Sequence, residues 1–68
     1  MAKRNISSRS WPYRLGYWSV SSGPNRNPYR DPSCEGSKRP DARHNARLWD
    51  RGYADALADA RAESEGAA

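Results

Sequence analysis

With 68 residues the chain has room for one small domain and no second. A fold of this size buries only about 60% of its unfolded surface, and with three Trp, four Tyr and no Phe the rings are the main core material, too little to wall off an elaborate enzyme site. The single cysteine, Cys34, and the single histidine, His44, exclude an internal disulfide and a Cys/His zinc site, while a net charge of +4 favours a polyanionic partner.

Residues 1 to 9 carry Lys3, Arg4 and Arg9 without an acid and read as a flexible basic arm. Asn5-Ile6-Ser7-Ser8 follows Lys3-Arg4 where a secretory signal would have an apolar core, and no run approaches the ~18 apolar residues of a membrane span. A cytoplasmic protein without membrane or metal is expected. Ser10-Trp11-Pro12 has the form of a helix start with proline in the first turn, and Gly23-Pro24 that of an exit. The spacing predicts a short helix near 11 to 22 on which Trp11, Leu15 and Trp18 share a face. A strand is the alternative, because Tyr13, Leu15 and Tyr17 alternate and Ser19, Val20, Ser21 and Ser22 are poor helix formers.

Residues 23 to 40 hold Gly23, Pro24, Pro28, Pro32, Gly36 and Pro40, too many breakers for a regular element, and read as a long loop with turns. A long helix then runs from about Asp41 to Glu63, with Asp41 as N-cap after Pro40. At about 100° per residue, Ala42, Ala46, Trp49, Tyr53, Ala56, Leu57 and Ala60 form one apolar stripe. Leu48 lies off it and is expected to be exposed. Gly52, in mid-helix, costs about 1 kcal/mol relative to Ala; it is either tolerated or marks close approach of a second backbone beside Trp49 and Tyr53. The expected core is Trp18, Trp49, Gly52, Tyr53 and Leu57.

Charge is divided along the chain. Residues 1 to 30 contain six basic residues and no acid, whereas 52 to 68 set Arg61 against Asp55, Asp59, Glu63 and Glu65. On the long helix Arg43, Arg47 and Arg51 recur every four residues, and Asp55, Asp59 and Glu63 continue the row. A helix by itself prefers acids first and bases last, so intrinsic stability did not select this order. Forked guanidiniums suit phosphate oxygens, and Arg14, Arg26, Arg30, Lys38, Arg39, Arg43, Arg47 and Arg51, with Tyr29 as a stacking ring, form a candidate RNA-binding set. Catalytic motifs are weak. Gly36-Ser37-Lys38 lacks the glycine-rich turn of a phosphate loop, Cys34 and His44 lack an orienting carboxylate, and Asn5-Ile6-Ser7 has meaning as a glycosylation acceptor only in a secreted chain. No catalytic residue and no cofactor is expected.

Gly16-Tyr17, Gly23, Asn27-Pro28-Tyr29 and Trp49-Asp50-Arg51-Gly52-Tyr53-Ala54 with Ala56 resemble the framework of the ribosome modulation factor family, including its CrpP-type relatives, over about residues 14 to 61. The resemblance implies a helix-loop-helix unit that occupies ribosomal RNA near the messenger-entry region of the small subunit and inhibits translation. CrpP-type relatives have been described as ATP-dependent drug-modifying proteins, a distant alternative for which the residues here supply no nucleotide site. A further alternative, which small size, Arg/Ala-rich composition and this fold would suit, is a phage- or plasmid-type accessory protein whose Asp55, Asp59 and Glu63 bind and inhibit a basic host protein. The expected architecture is small and mainly α: the arm 1–9, a domain 10–63 with a short first helix, long Pro/Gly-rich loop and long second helix, and a disordered tail 64–68.

Overall fold

The computed structural model describes residues 5–23 and 25–67, so the readings made on Met1 to Arg4, Pro24 and Ala68 lie outside the described residues. Ser10 holds extended backbone, and with Pro12 in the first turn the chain enters α1, Trp11–Ser19. Residues 11 to 22 thus take the helical alternative at their start, and among the described residues there is no strand. Helix α1 stops three residues short of the expected end, because the run Ser19 to Ser22 has little helix propensity. The amides of Ser21 and Ser22 turn back onto the Trp18 carbonyl instead.

A loop with a single 3₁₀ turn, Glu35–Lys38, leads to α2, Ala42–Ala67. The Asp41 carbonyl accepts the Asn45 amide at 2.9 Å as the helix begins. Helix α2 continues through residues 64 to 67, which corrects the reading of 64–68 as a disordered tail: the Ala-rich run before it propagates the helix one turn further, across Gly66. Twenty-six residues span about 39 Å, so α2 accounts for most of the 43 Å long axis of the molecule. No described helix is long and apolar enough to cross a membrane.

The two helices touch through glycine. A Cβ on Gly16 would stand 2.0 Å from the Trp49 carbonyl oxygen, and one on Gly52 would stand 2.1 Å from the Tyr13 carbonyl oxygen. Each glycine therefore admits the other helix's backbone, and the close-approach reading of Gly52 is the one the structure contains. Around this contact Tyr13, Ala46, Trp49, Ala56 and Ser19 are buried, Tyr13 completely. Trp49 stacks on the half-buried Tyr53 with ring centroids 5.2 Å apart.

This geometry corrects the expected core at two positions. Trp18 is 53% exposed and Leu57 46% exposed, while Tyr13, absent from the predicted set, fills the centre. Helix α1 presents Tyr13, Gly16 and Tyr17 to α2, which turns Trp11, Leu15 and Trp18 away; on α2 the buried face rotates from Leu57 toward Gly52, Asp55 and Asp59. Leu48 becomes half-buried by the same rotation.

Gly16→Ala and Gly52→Ala are each expected to lower stability by about 1 to 3 kcal/mol or more, since the intruding methyl meets backbone that cannot step aside. Gly66, with nothing within 4 Å of its would-be Cβ, provides the control: Gly66→Ala should leave stability unchanged or raise it by up to about 1 kcal/mol. Thermal melts followed by circular dichroism at 222 nm check the order. The same melts should show Trp49→Ala costing about 3 to 5 kcal/mol and Leu57→Ala about 0.5 kcal/mol or less.

Candidate nucleic-acid interface

The disposition of acids decides which bases are paired. Tyr13 and Tyr17, one turn apart on α1, donate their hydroxyls to Asp55 and Asp59, one turn apart on α2; the second of these bonds measures 2.6 Å. Arg51 lies 3.6 Å from the other Asp55 oxygen, a solvent-facing i,i+4 pair. In the loop, Asn27 reaches across to α2, donating from Nδ2 to the Ala46 carbonyl at 3.0 Å and to Asp50 Oδ1 at 2.9 Å. Its own Oδ1 accepts the Tyr29 amide at 2.9 Å, an Asx turn that holds the Asn27-Pro28-Tyr29-Arg30 corner. Arg30 closes the corner with a 2.7 Å bond to Asp50 Oδ2.

Asp31 organises the next turn, accepting the Ser33 amide at 3.0 Å and the Ser33 hydroxyl at 2.7 Å, with Arg26 at 3.3 Å from its second oxygen. The Ser33 hydroxyl and amide, aided by Arg26, hold this carboxyl below its ordinary value. Asp31, Asp50, Asp55 and Asp59 are thus all occupied within the fold.

The eight basic candidates separate accordingly. Arg26, Arg30 and Arg51 pair with Asp31, Asp50 and Asp55. Arg14 lies over the Trp11 ring at 5.1 Å and approaches the Ser7 carbonyl. Lys38, Arg39, Arg43 and Arg47 are exposed, and among the described residues none of them has a carboxylate in ion-pair reach. These four follow one another along the chain from the 3₁₀ turn into the first two turns of α2, with the exposed Asp41 between Arg39 and Arg43.

Tyr29 was expected to stack on bases, yet its ring is half-buried and rests on Gly36, where an added Cβ would come within 2.9 Å of it. Its contact is with the loop. The chief positioning residues missed by the sequence reading are Asn27, Asp50 and the two tyrosine-aspartate pairs. A signal for the last existed: Tyr13 and Tyr17 repeat at four residues, as do Asp55 and Asp59. Comparisons with protein-family models, with curated proteins and with solved structures yield no match.

Burial, with a smaller contribution from Asp41 and an opposing one from Arg39, raises the Tyr29 phenol above its ordinary value of about 10. A raised tyrosine contributes stability that is fully present below about pH 10 and is lost as pH climbs through the folded-state value. Thermal melts between pH 9 and 11.5 are therefore expected to fall less steeply for Tyr29→Phe than for the unaltered chain; parallel curves would show that this phenol does not couple to folding.

Proposed function

We propose that the protein is a non-enzymatic, RNA-binding regulator that occupies ribosomal RNA and inhibits translation, in the manner the likeness to ribosome modulation factors implies. The observation that carries the reading is the separation of charge: Asp31, Asp50, Asp55 and Asp59 bond other parts of the fold, while Lys38, Arg39, Arg43 and Arg47 are exposed without an ion-pair partner among the described residues. Such a cluster suits phosphate, with guanidiniums one turn apart offering forked donors to neighbouring oxygens. Gly16-Tyr17, Asn27-Pro28-Tyr29 and the segment 49–54 all serve the helix contact or the loop corner, so the framework behind the likeness is structural and the basic surface is displayed upon it. The competing reading, an acidic face for a basic host protein, draws less support because Asp55 is engaged by Tyr13 and Arg51 and Asp59 by Tyr17.

Tagged protein is expected to travel with ribosomal particles when lysate is sedimented through a sucrose gradient at low salt, and to return to the top as salt rises. Protein that stays at the top even at low salt would remove the ribosome from the proposal. In binding to a single-stranded RNA, Arg43→Gln with Arg47→Gln should flatten the log–log salt dependence by about 1.4, at about 0.7 per lost phosphate contact. An unchanged slope would place the phosphate contacts elsewhere.

A further inference from the structure

The face of α1 turned away from α2 is only partly covered within the described chain, by Gly23 against Trp18 and by Arg14 over the Trp11 ring. Ile6, Trp11, Arg14, Leu15 and Trp18 line an open groove of about 470 Å³. Trp11 is 59% exposed and Trp18 53% exposed, an unusual use of indoles in a chain that has only three and needs rings for its core. They stand seven residues apart on one side of the helix, about 10 Å along its axis. Trp18 also borders a second groove, of about 600 Å³, beneath the loop, where Arg26 is paired with Asp31.

We propose that this face is a stacking platform for unpaired RNA bases, with Trp11 and Trp18 each taking a base and Arg14, which lies between them on α1, meeting an intervening phosphate. The proposal rests on the RNA-binding reading above and adds a second contact surface, distinct from the basic cluster on α2.

Charge complementarity selects this occupant. The 470 Å³ groove has no acidic lining residue, and Arg14 lies against the Trp11 ring within it. Residues 5 to 30 contain Arg9, Arg14, Arg26 and Arg30 and no acid, so a second copy docked face to face would oppose like charges. A polyanion with flat apolar rings satisfies both features: bases cover the indoles and a phosphate meets the Arg14 guanidinium. The spacing fits as well, since about 10 Å corresponds to roughly three steps of stacked strand at 3.4 Å. A duplex keeps its base faces inside the stack and cannot use the platform, so the site discriminates single from double strands.

The test uses the full chain with a 12-nucleotide single-stranded RNA and a duplex of the same length, read by fluorescence anisotropy of labelled RNA. Trp11→Ala and Trp18→Ala should each weaken single-strand binding about tenfold, within the range of base-aromatic stacking, and leave duplex binding unchanged. Trp18→Phe should recover part of the loss. Both rings are exposed, so circular dichroism should show helix retained; a variant that unfolds is replaced in the comparison by its Phe counterpart, for which the single-strand affinity must still exceed that of the unaltered chain's duplex complex. Indole fluorescence should be quenched by the single strand alone. Equal single-strand affinity for the unaltered chain and the alanine variants would overturn the platform and leave the RNA reading intact. Failure of the unaltered chain to bind either RNA would overturn both. Sedimentation equilibrium showing a dimer that Trp11→Ala or Trp18→Ala dissociates would assign the face to a second copy and overturn the proposal as well.

Discussion

Everything else in the structure follows from the contact in which Gly16 and Gly52 let the two helices meet backbone to backbone. Each glycine weakens its own helix by about 1 kcal/mol relative to alanine, and the return is dispersion contact over a strip that a single methyl group would hold open. With the spacing set at that point, Tyr13 is driven into the interface, and Ala46, Trp49 and Ala56 close around it. The same spacing brings the Tyr13 and Tyr17 hydroxyls to Asp55 and Asp59. A nine-residue helix has two and a half turns, so one face can serve this contact and the opposite one cannot. Trp11 and Trp18 are outside for that reason.

The charge order along α2, basic first and acidic later, opposes the helix dipole and makes sense only with α1 in place. Asp55 and Asp59 stand where tyrosine hydroxyls arrive, and Asp50 stands where Asn27 and Arg30 arrive. A charged acceptor makes each of these bonds stronger than a neutral pair would be. The acids therefore hold the short helix and the loop corner onto the long helix. What they leave behind is electrostatic bias: Lys38, Arg39, Arg43 and Arg47 are exposed and unpaired among the described residues and outnumber the exposed Glu35 and Asp41 of the same segment, the basis of the proposed phosphate contacts.

The loop is ordered by side chains acting on backbone rather than by repeated secondary structure. Asn27 and Asp31 each cap a turn two residues ahead through an Asx-type hydrogen bond, and the Tyr29 ring settles on Gly36. Prolines at 28, 32 and 40 restrict the segments between these anchors. Loop and helices share one small core. Trp49 supports both, buried in the helix contact and lining the groove beneath the loop.

Local chemistry was readable from the sequence. Pro12 and Pro40 marked the helix starts, the breakers between 23 and 40 marked the loop, and alanine-rich composition marked the long helix, because these effects act within a few residues of their cause. Gly52 in mid-helix pointed to a second backbone for the same reason: its cost is local even though its purpose is not. Which face of each helix lies inside was decided by tertiary structure. Hydrophobic periodicity favoured Leu57 and Trp18, whereas burial went to Tyr13 and drew Asp55 and Asp59 inward, since the glycine contact fixes rotation about the helix axis and polar groups can be buried there once they bond one another. The basic surface was settled in the same way. Eight candidate cations looked alike along the chain, and only the fold, by pairing Arg26, Arg30 and Arg51 with acids and stacking Arg14 on a ring, separated them from the four without an ion-pair partner among the described residues.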